Sequence, residues 1–117
     1  MFLLPDSRGR TRPRALGAPN TVTGSYTFRT SDVNGWVEGN SGSALTLTIP
    51  ADQFLKANLG DVINIVQVGA GQITVAAGTG VTLVSSGSKV KVTGQYSGAS
   101  IYKRAANTWL LFGDISS

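Results

Sequence analysis

The chain contains no cysteine and no histidine. Without cysteine there is no disulfide, no thiolate nucleophile and no cysteine zinc site. The same absence leaves the redox compartment open. Without histidine the commonest general base and transition-metal ligand is missing, and Ser-His-Asp catalysis is excluded within the chain. No apolar run approaches the roughly 20 residues that span a bilayer, so no membrane partner is expected. Met1-Phe2-Leu3-Leu4 is too short for the apolar region of a signal peptide, and Pro5-Asp6 interrupts it. Charge is scarce as well. Only 14% of the residues are charged, against 41% hydrophobic, which is not the composition of a disordered chain. At 117 residues the expectation is one domain that buries about two thirds of its surface.

Several motifs suggest chemistry and do not carry it. Gly69-Ala70-Gly71 runs into the strand-like Gln72-Ile73-Thr74-Val75, whereas a phosphate loop needs Gly-Lys-Ser/Thr and a dinucleotide fingerprint needs a third glycine opening a helix. Asp52, Asp61 and Asp114 are each explained as cap or turn acids rather than as a glycosidase pair across a cleft. Ser88 and Lys89 are adjacent, so on a strand they point to opposite faces and form no dyad. No Asp-x-Asp-x-Asp-Gly run offers a calcium loop. The chain is therefore not expected to be an enzyme, and no catalytic residue, cofactor or metal site is assigned.

The charge is concentrated at one end. Residues 1–20 carry Arg8, Arg10, Arg12 and Arg14 against Asp6, a net +3, while residues 21–117 carry only +1. The same segment holds Pro5, Pro13 and Pro19, three of the four prolines, a spacing that neither a helix nor a central strand survives. Residues 1–20 read as an extended arm. Arginines on every second position of an extended chain fall on one side, about 7 Å apart. Phe2, Leu3 and Leu4 form an apolar anchor that has nothing local to bury against. Two readings stay open: a solvated basic tail, or an arm ordered on an acidic partner. Arginines without interleaved aromatics are a weak nucleic-acid signature, and nucleic acid is not the expected partner.

From residue 21 onward the period is two. Leu45, Leu47 and Ile49 alternate with threonines, and Val62 to Val68 reads as a central strand. Further strands are expected over 25–29, 36–38, 72–77, 81–84, 89–93, 100–104 and 108–112. Gly69-Ala70-Gly71, Gly78-Thr79-Gly80, Ser86-Gly87-Ser88 and Ala105-Ala106-Asn107 look like hairpin turns. Pro50 to Asn58 is the one helix-like stretch. Turn signals every 8–12 residues predict an all-β fold, a small antiparallel β-sandwich or barrel-like domain over 21–117 with one short helical turn. Lys89, Lys91 and Lys103 are expected to protect its edges. The aromatics Tyr26, Phe28, Trp36, Tyr96, Tyr102 and Trp109 exceed what one thin core must hold, so one or two are expected at a subunit interface.

An ordered series of segments runs from Ser43 to Ser116. It comprises Ala44-Leu45-Thr46-Leu47-Thr48-Ile49-Pro50, then Gly60-Asp61-Val62-Ile63-Asn64-Ile65-Val66-Gln67-Val68-Gly69-Ala70-Gly71-Gln72-Ile73-Thr74-Val75. Gly80-Val81-Thr82-Leu83, Gly94-Gln95-Tyr96-Ser97 and Thr108-Trp109-Leu110-Leu111-Phe112-Gly113-Asp114-Ile115 follow. The series resembles a module of tailed-bacteriophage virion proteins, found at the C-terminal ends of tail fibres and in free-standing capsid decoration (cement) proteins. The resemblance covers roughly two thirds of the chain. It implies a β-rich homotrimer without catalytic residues.

A tail fibre carries a long shaft before such a tip, whereas about 40 residues precede the series here. The expectation is a decoration protein on the virion capsid surface that stabilises the head. Phe2, Leu3, Leu4, Arg8, Arg10, Arg12 and Arg14 would bind the major capsid protein. The alternative is a tail fibre, spike or receptor-binding module whose exposed aromatics and Gly/Ser-rich loops meet a host-surface receptor or glycan.

Overall fold

The computed structural model describes residues 17–117, together with the backbone of two short strands, β1 (Leu4–Pro5) and β2 (Thr11–Arg12), which pair antiparallel. Eleven further strands follow: β3 (Asn20–Val22), β4 (Tyr26–Thr27), β5 (Trp36–Gly39), β6 (Leu45–Ile49), β7 (Val62–Gln67), β8 (Ile73–Ala77), β9 (Thr82–Ser85), β10 (Lys91–Val92), β11 (Gly98–Ala105), β12 (Thr108–Gly113) and β13 (Ile115–Ser116). Single 3-10 turns lie at Thr30–Asp32 and Ser86–Ser88. Asn20, the last residue of the expected arm, opens β3 and pairs with Val37 of β5.

The domain is small and mostly β, with two mixed sheets. One has six strands in the order β3-β5-β7-β11-β12-β9, the other five in the order β13-β10-β8-β6-β4. The antiparallel expectation is corrected here. β3, β5 and β7 run parallel, as do β4, β6 and β8, and β9 is parallel to β12. Parallel neighbours cannot be joined by a tight turn and need a crossover. From β3 to β8 each crossover is a strand of the other sheet, so the chain winds alternately through both. The glycine turns at 69–71 and 78–80 and the 3-10 turn at 86–88 are therefore passages between sheets rather than hairpins.

Among the described residues of the domain, only β11 and β12 pair as sequence neighbours. They are joined through Ala106 and Asn107, with Asn107 in the left-handed region at φ 50°. Asn107 is held by a reciprocal pair with Asp52: the Asp52 N–H donates to Asn107 Oδ1 (2.7 Å) and the Asn107 N–H to Asp52 Oδ2 (2.9 Å). The stretch after Pro50 makes only one turn, with Leu55 N–H donating to the Ala51 carbonyl at 3.1 Å.

Period-two alternation sets the core. Leu45, Leu47 and Ile49 on β6 and Ile73 and Val75 on β8 belong to one apolar cluster. Ile63 and Ile65 on β7, Ile101 on β11, and Trp109 and Leu111 on β12 belong to it as well, with Phe28, Val37, Leu55, Val92 and Ala99. Gln67, also on the inner side, is buried but satisfied: its amide donates to the Gly69 carbonyl (3.1 Å) and its oxygen accepts from the Ile73 N–H (3.2 Å). Gly69 and Gly71 are required by close approach. A Cβ at either position would run into the backbone of Ser41 or Ser43.

Candidate interaction surface

The residues opposite the core on the six-stranded sheet form the most distinctive surface. On β5 these are Trp36 and Glu38, on β7 Val62, Asn64 and Val66, and on β11 Gly98, Ser100 and Tyr102. Thr108, Leu110 and Phe112 follow on β12 and Thr82 and Val84 on β9. The register makes continuous rows of them. Trp36, Asn64, Ser100 and Phe112 lie side by side across four strands, and Val62, Tyr102, Leu110 and Val84 make the next row. Trp36, Phe112 and Val84 keep 41%, 46% and 38% of their surface in water. Tyr102 and Phe112 meet edge to face at 6.1 Å. Charge is confined to the margins: Glu38, bonded to Thr21 at 3.1 Å, and Arg104 where β11 bulges.

Within this face is a slot of about 180 Å³. Trp36 and Phe112 flank it, and Gly98, Ala99, Ser100 and Gly113 line it. Gly98 leaves its outward position in the slot without a side chain, whereas Gly113 is required by its close approach to the Ala99 backbone. The outer face of the five-stranded sheet contrasts with it. There the outward residues are Thr27 on β4, Thr46 and Thr48 on β6, Thr74 and Ala76 on β8, and Lys91 on β10. That face is polar, the usual state of a solvated sheet.

A second feature is polar and lies at the end of the sheets where the loop 50–61 crosses. Asp52, Lys56, Ala57, Asn58, Asp61 and Lys103 line an open depression of about 380 Å³. Lys103 was expected at an edge. It is instead 7% exposed on β11, between β7 and β12. The physical reason is its register. It follows Ala99 and Ile101 on the inner side, so its aliphatic stem closes the end of the core. Its ammonium emerges beneath the loop, donating to the Ala57 carbonyl (3.0 Å) and pairing with Asp52 Oδ1 at 3.0 Å. Lys91 is likewise not on an edge strand, since β10 lies between β13 and β8. The edges are protected instead by being short.

The three carboxylates considered in the sequence hold loops in place. Asp52 clamps the β11–β12 turn. Asp61 accepts from the Asn58 N–H (2.8 Å) and the Asn34 amide (3.2 Å). Hydrogen bonds from Thr93 and Ser97 hold the Asp114 carboxyl below the ordinary carboxylate range. A fourth acid, Asp32, is buried and accepts from Tyr26 Oη (2.7 Å), the Asn20 amide (3.1 Å) and the Arg29 N–H (2.8 Å). No group of three or more potential metal-ligating side chains occurs among the described residues.

The arm residues singled out in the sequence are not tested by this geometry. Phe2, Leu3, Arg8, Arg10 and Arg14 lie outside the described residues, and for Leu4 and Arg12 the description ends at the backbone. Sequence reasoning singled out Trp36 and Tyr102 as surplus aromatics, but it missed the rows that they form with Leu110, Phe112 and Val84. The signal that could have found them was alternation itself, since each is offset by one from a core residue. No protein-family model matches the chain, and no curated protein or solved structure is significantly similar to it.

Proposed function

We propose that this protein is a structural assembly module of a tailed-bacteriophage virion. In this reading it decorates the capsid surface as a homotrimer, and the two sheets of each subunit pack face to face as a β-sandwich. The basic segment, with Arg8, Arg10, Arg12 and Arg14 behind Phe2, Leu3 and Leu4, binds the major capsid protein and stabilises the head. The single observation that carries an assembly role is the uncharged, aromatic outer face of the six-stranded sheet. A contiguous exposed apolar patch on a small domain marks a contact surface. The capsid location is supported by the resemblance of residues 43–116 to phage virion modules and by the +3 segment that precedes them. Each exposed ion pair contributes little alone, but three arms on one trimer act together through effective concentration.

Deletion of residues 1–14 tests this reading. The truncated protein is expected to fold and oligomerise but to be absent from purified heads that bind the full chain. Full occupancy by the truncated protein would sink the arm hypothesis. An antibody against the folded body, seen by electron microscopy on virions, separates the alternatives. Label over the head supports decoration, and label at the tail tip supports the receptor-binding module.

A further inference from the structure

We propose that the outer face of the six-stranded sheet is a homotypic interface, with Phe112 of one copy seated in the slot beside Trp36 of the next. The proposal rests on the assembly reading above and adds which face is used and by whom it is covered. Four observations select a second copy of this chain as the occupant.

The face carries both halves of a fit. Phe112 projects from it, and the slot between Trp36 and Phe112 measures about 180 Å³. The slot is an open depression, wide enough for a planar ring to lie between Trp36 and Phe112. Its floor of Gly98 and Ser100 has no bulk to obstruct one.

The area is also of the right order. Each row spans four strands about 4.8 Å apart, and three such rows project to roughly 400 Å². That is within the size range of the largest surface patch on a monomer. It is about half of the roughly 800 Å² per partner of a standard interface, the scale of a small, concentration-dependent contact.

The charge distribution permits self-docking. The chain has a net charge of +4, but +3 of it lies in residues 1–20. The domain that carries the face is close to neutral. Glu38 and Arg104 sit at the margins and leave the centre uncharged, as an interface core requires.

Finally, the molecule itself discriminates. The outer face of the five-stranded sheet is threonine and lysine, so exposure to water has been accommodated there. The six-stranded face places Trp36, Tyr102, Leu110, Phe112, Val62, Val66 and Val84 at outward positions, interspersed with Asn64, Ser100, Thr82 and Thr108.

The test is the mass of the isolated full-length protein in solution, by light scattering after gel filtration across a micromolar concentration series. A discrete oligomer is expected. Ser100→Leu fills the slot and Phe112→Lys charges the knob. Each is expected to weaken self-association about 30-fold or more, the loss seen for a central aromatic contact, with cooperative unfolding retained. Phe54→Lys, on the loop 50–61 and off this face, is expected to leave the mass unchanged.

Indole fluorescence of the unmodified protein provides a readout that needs no variant. Trp109 is fully buried in the subunit, so a red shift on dilution reports Trp36 returning to water. A monomer at all concentrations would overturn the inference, as would an oligomer indifferent to both Ser100→Leu and Phe112→Lys. An oligomer that ignores phage heads leaves the inference standing and removes the capsid reading. A monomer that binds heads does the reverse.

Discussion

Lys103 shows how a single residue can be placed against its type. Lysine is among the residues least often buried, and here its stem is core while its ammonium sits between the Asp52 carboxylate and the Ala57 carbonyl. Lys103→Met keeps the stem and removes the charge. Breaking a buried pair costs about 3–5 kcal/mol, but the Asp52 side chain keeps 29% of its surface in water, so the loss should be smaller, about 1–3 kcal/mol. In a domain of this size that lowers the melting temperature by roughly 5–15 °C. An unchanged thermal midpoint would mean that the ammonium contributes nothing to the fold.

Tyr26 offers a pH test at the same scale. Burial, reinforced by the hydrogen bond to Asp32, pushes its phenol from 10.0 up to about 12. A raised folded value means that the neutral phenol is favoured in the folded state. Its contribution is complete below pH 10 and is lost as pH rises from about 10 to about 12. An absorbance titration should resolve a late-ionising tyrosine that disappears in Tyr26→Phe. Identical titration curves for the two proteins would refute the assignment. Asp114 acts in the opposite sense. Its carboxyl is held down by Thr93 and Ser97, so its contribution is present above its ordinary value of 3.8 and fades as pH falls below it.

At the scale of elements, the passage from β7 to β8 is where backbone meets backbone. Gly71 donates to the Ser41 carbonyl at 2.7 Å, and a Cβ there would collide with the Ser43 carbonyl. Gly71→Ala is expected to destabilise by about 2 kcal/mol or more, because the obstruction is main chain and cannot swing aside. Gly42→Ala, with nothing within 4 Å of the added carbon, should be near neutral. Equal urea midpoints for the two variants would contradict this packing.

The same passage explains what was legible in the sequence and what was not. Strand positions were legible because alternation reports which residues point inward: Leu45, Leu47 and Ile49 do so as expected. Pairing was not legible, because alternation says nothing about which sheet a strand joins. Gly69-Ala70-Gly71 has the composition of a hairpin turn and serves as a crossover, since its glycines are needed for clearance rather than for positive φ. Asn107 does both things expected of it, sitting at positive φ between paired strands. The outer face was half legible. Trp36 and Tyr102 stood out as surplus aromatics, and Leu110 and Phe112 align with Tyr102 through the β11–β12 pair whose turn was legible, but the placement of Trp36 and Val84 depends on the parallel pairings β5 with β7 and β12 with β9, which no local signal announces.

At the scale of the whole molecule, the proposed function divides two forces between two regions. Residues 1–20 hold most of the net charge and little to form a core, whereas the domain presents an apolar face and is nearly neutral. The two regions must then respond oppositely to salt. In this reading, ion pairs between the arginines of the segment and an acidic shell are screened as the Debye length falls from about 8 Å at physiological ionic strength to about 3 Å at 1 M. Contact between apolar sheet faces has no such dependence, and excluded salts such as sulfate strengthen it. Raising sodium chloride from 0.15 to 1 M is therefore expected to strip the protein from heads while leaving its oligomeric mass unchanged. Replacing Arg8, Arg10, Arg12 and Arg14 with serine should reproduce the high-salt behaviour at low salt. The apolar Phe2, Leu3 and Leu4 remain in that variant, so any binding it retains measures their share alone. If head binding and self-association weakened together along the salt series, both would depend on the same charges, and the division of labour between segment and domain would be wrong.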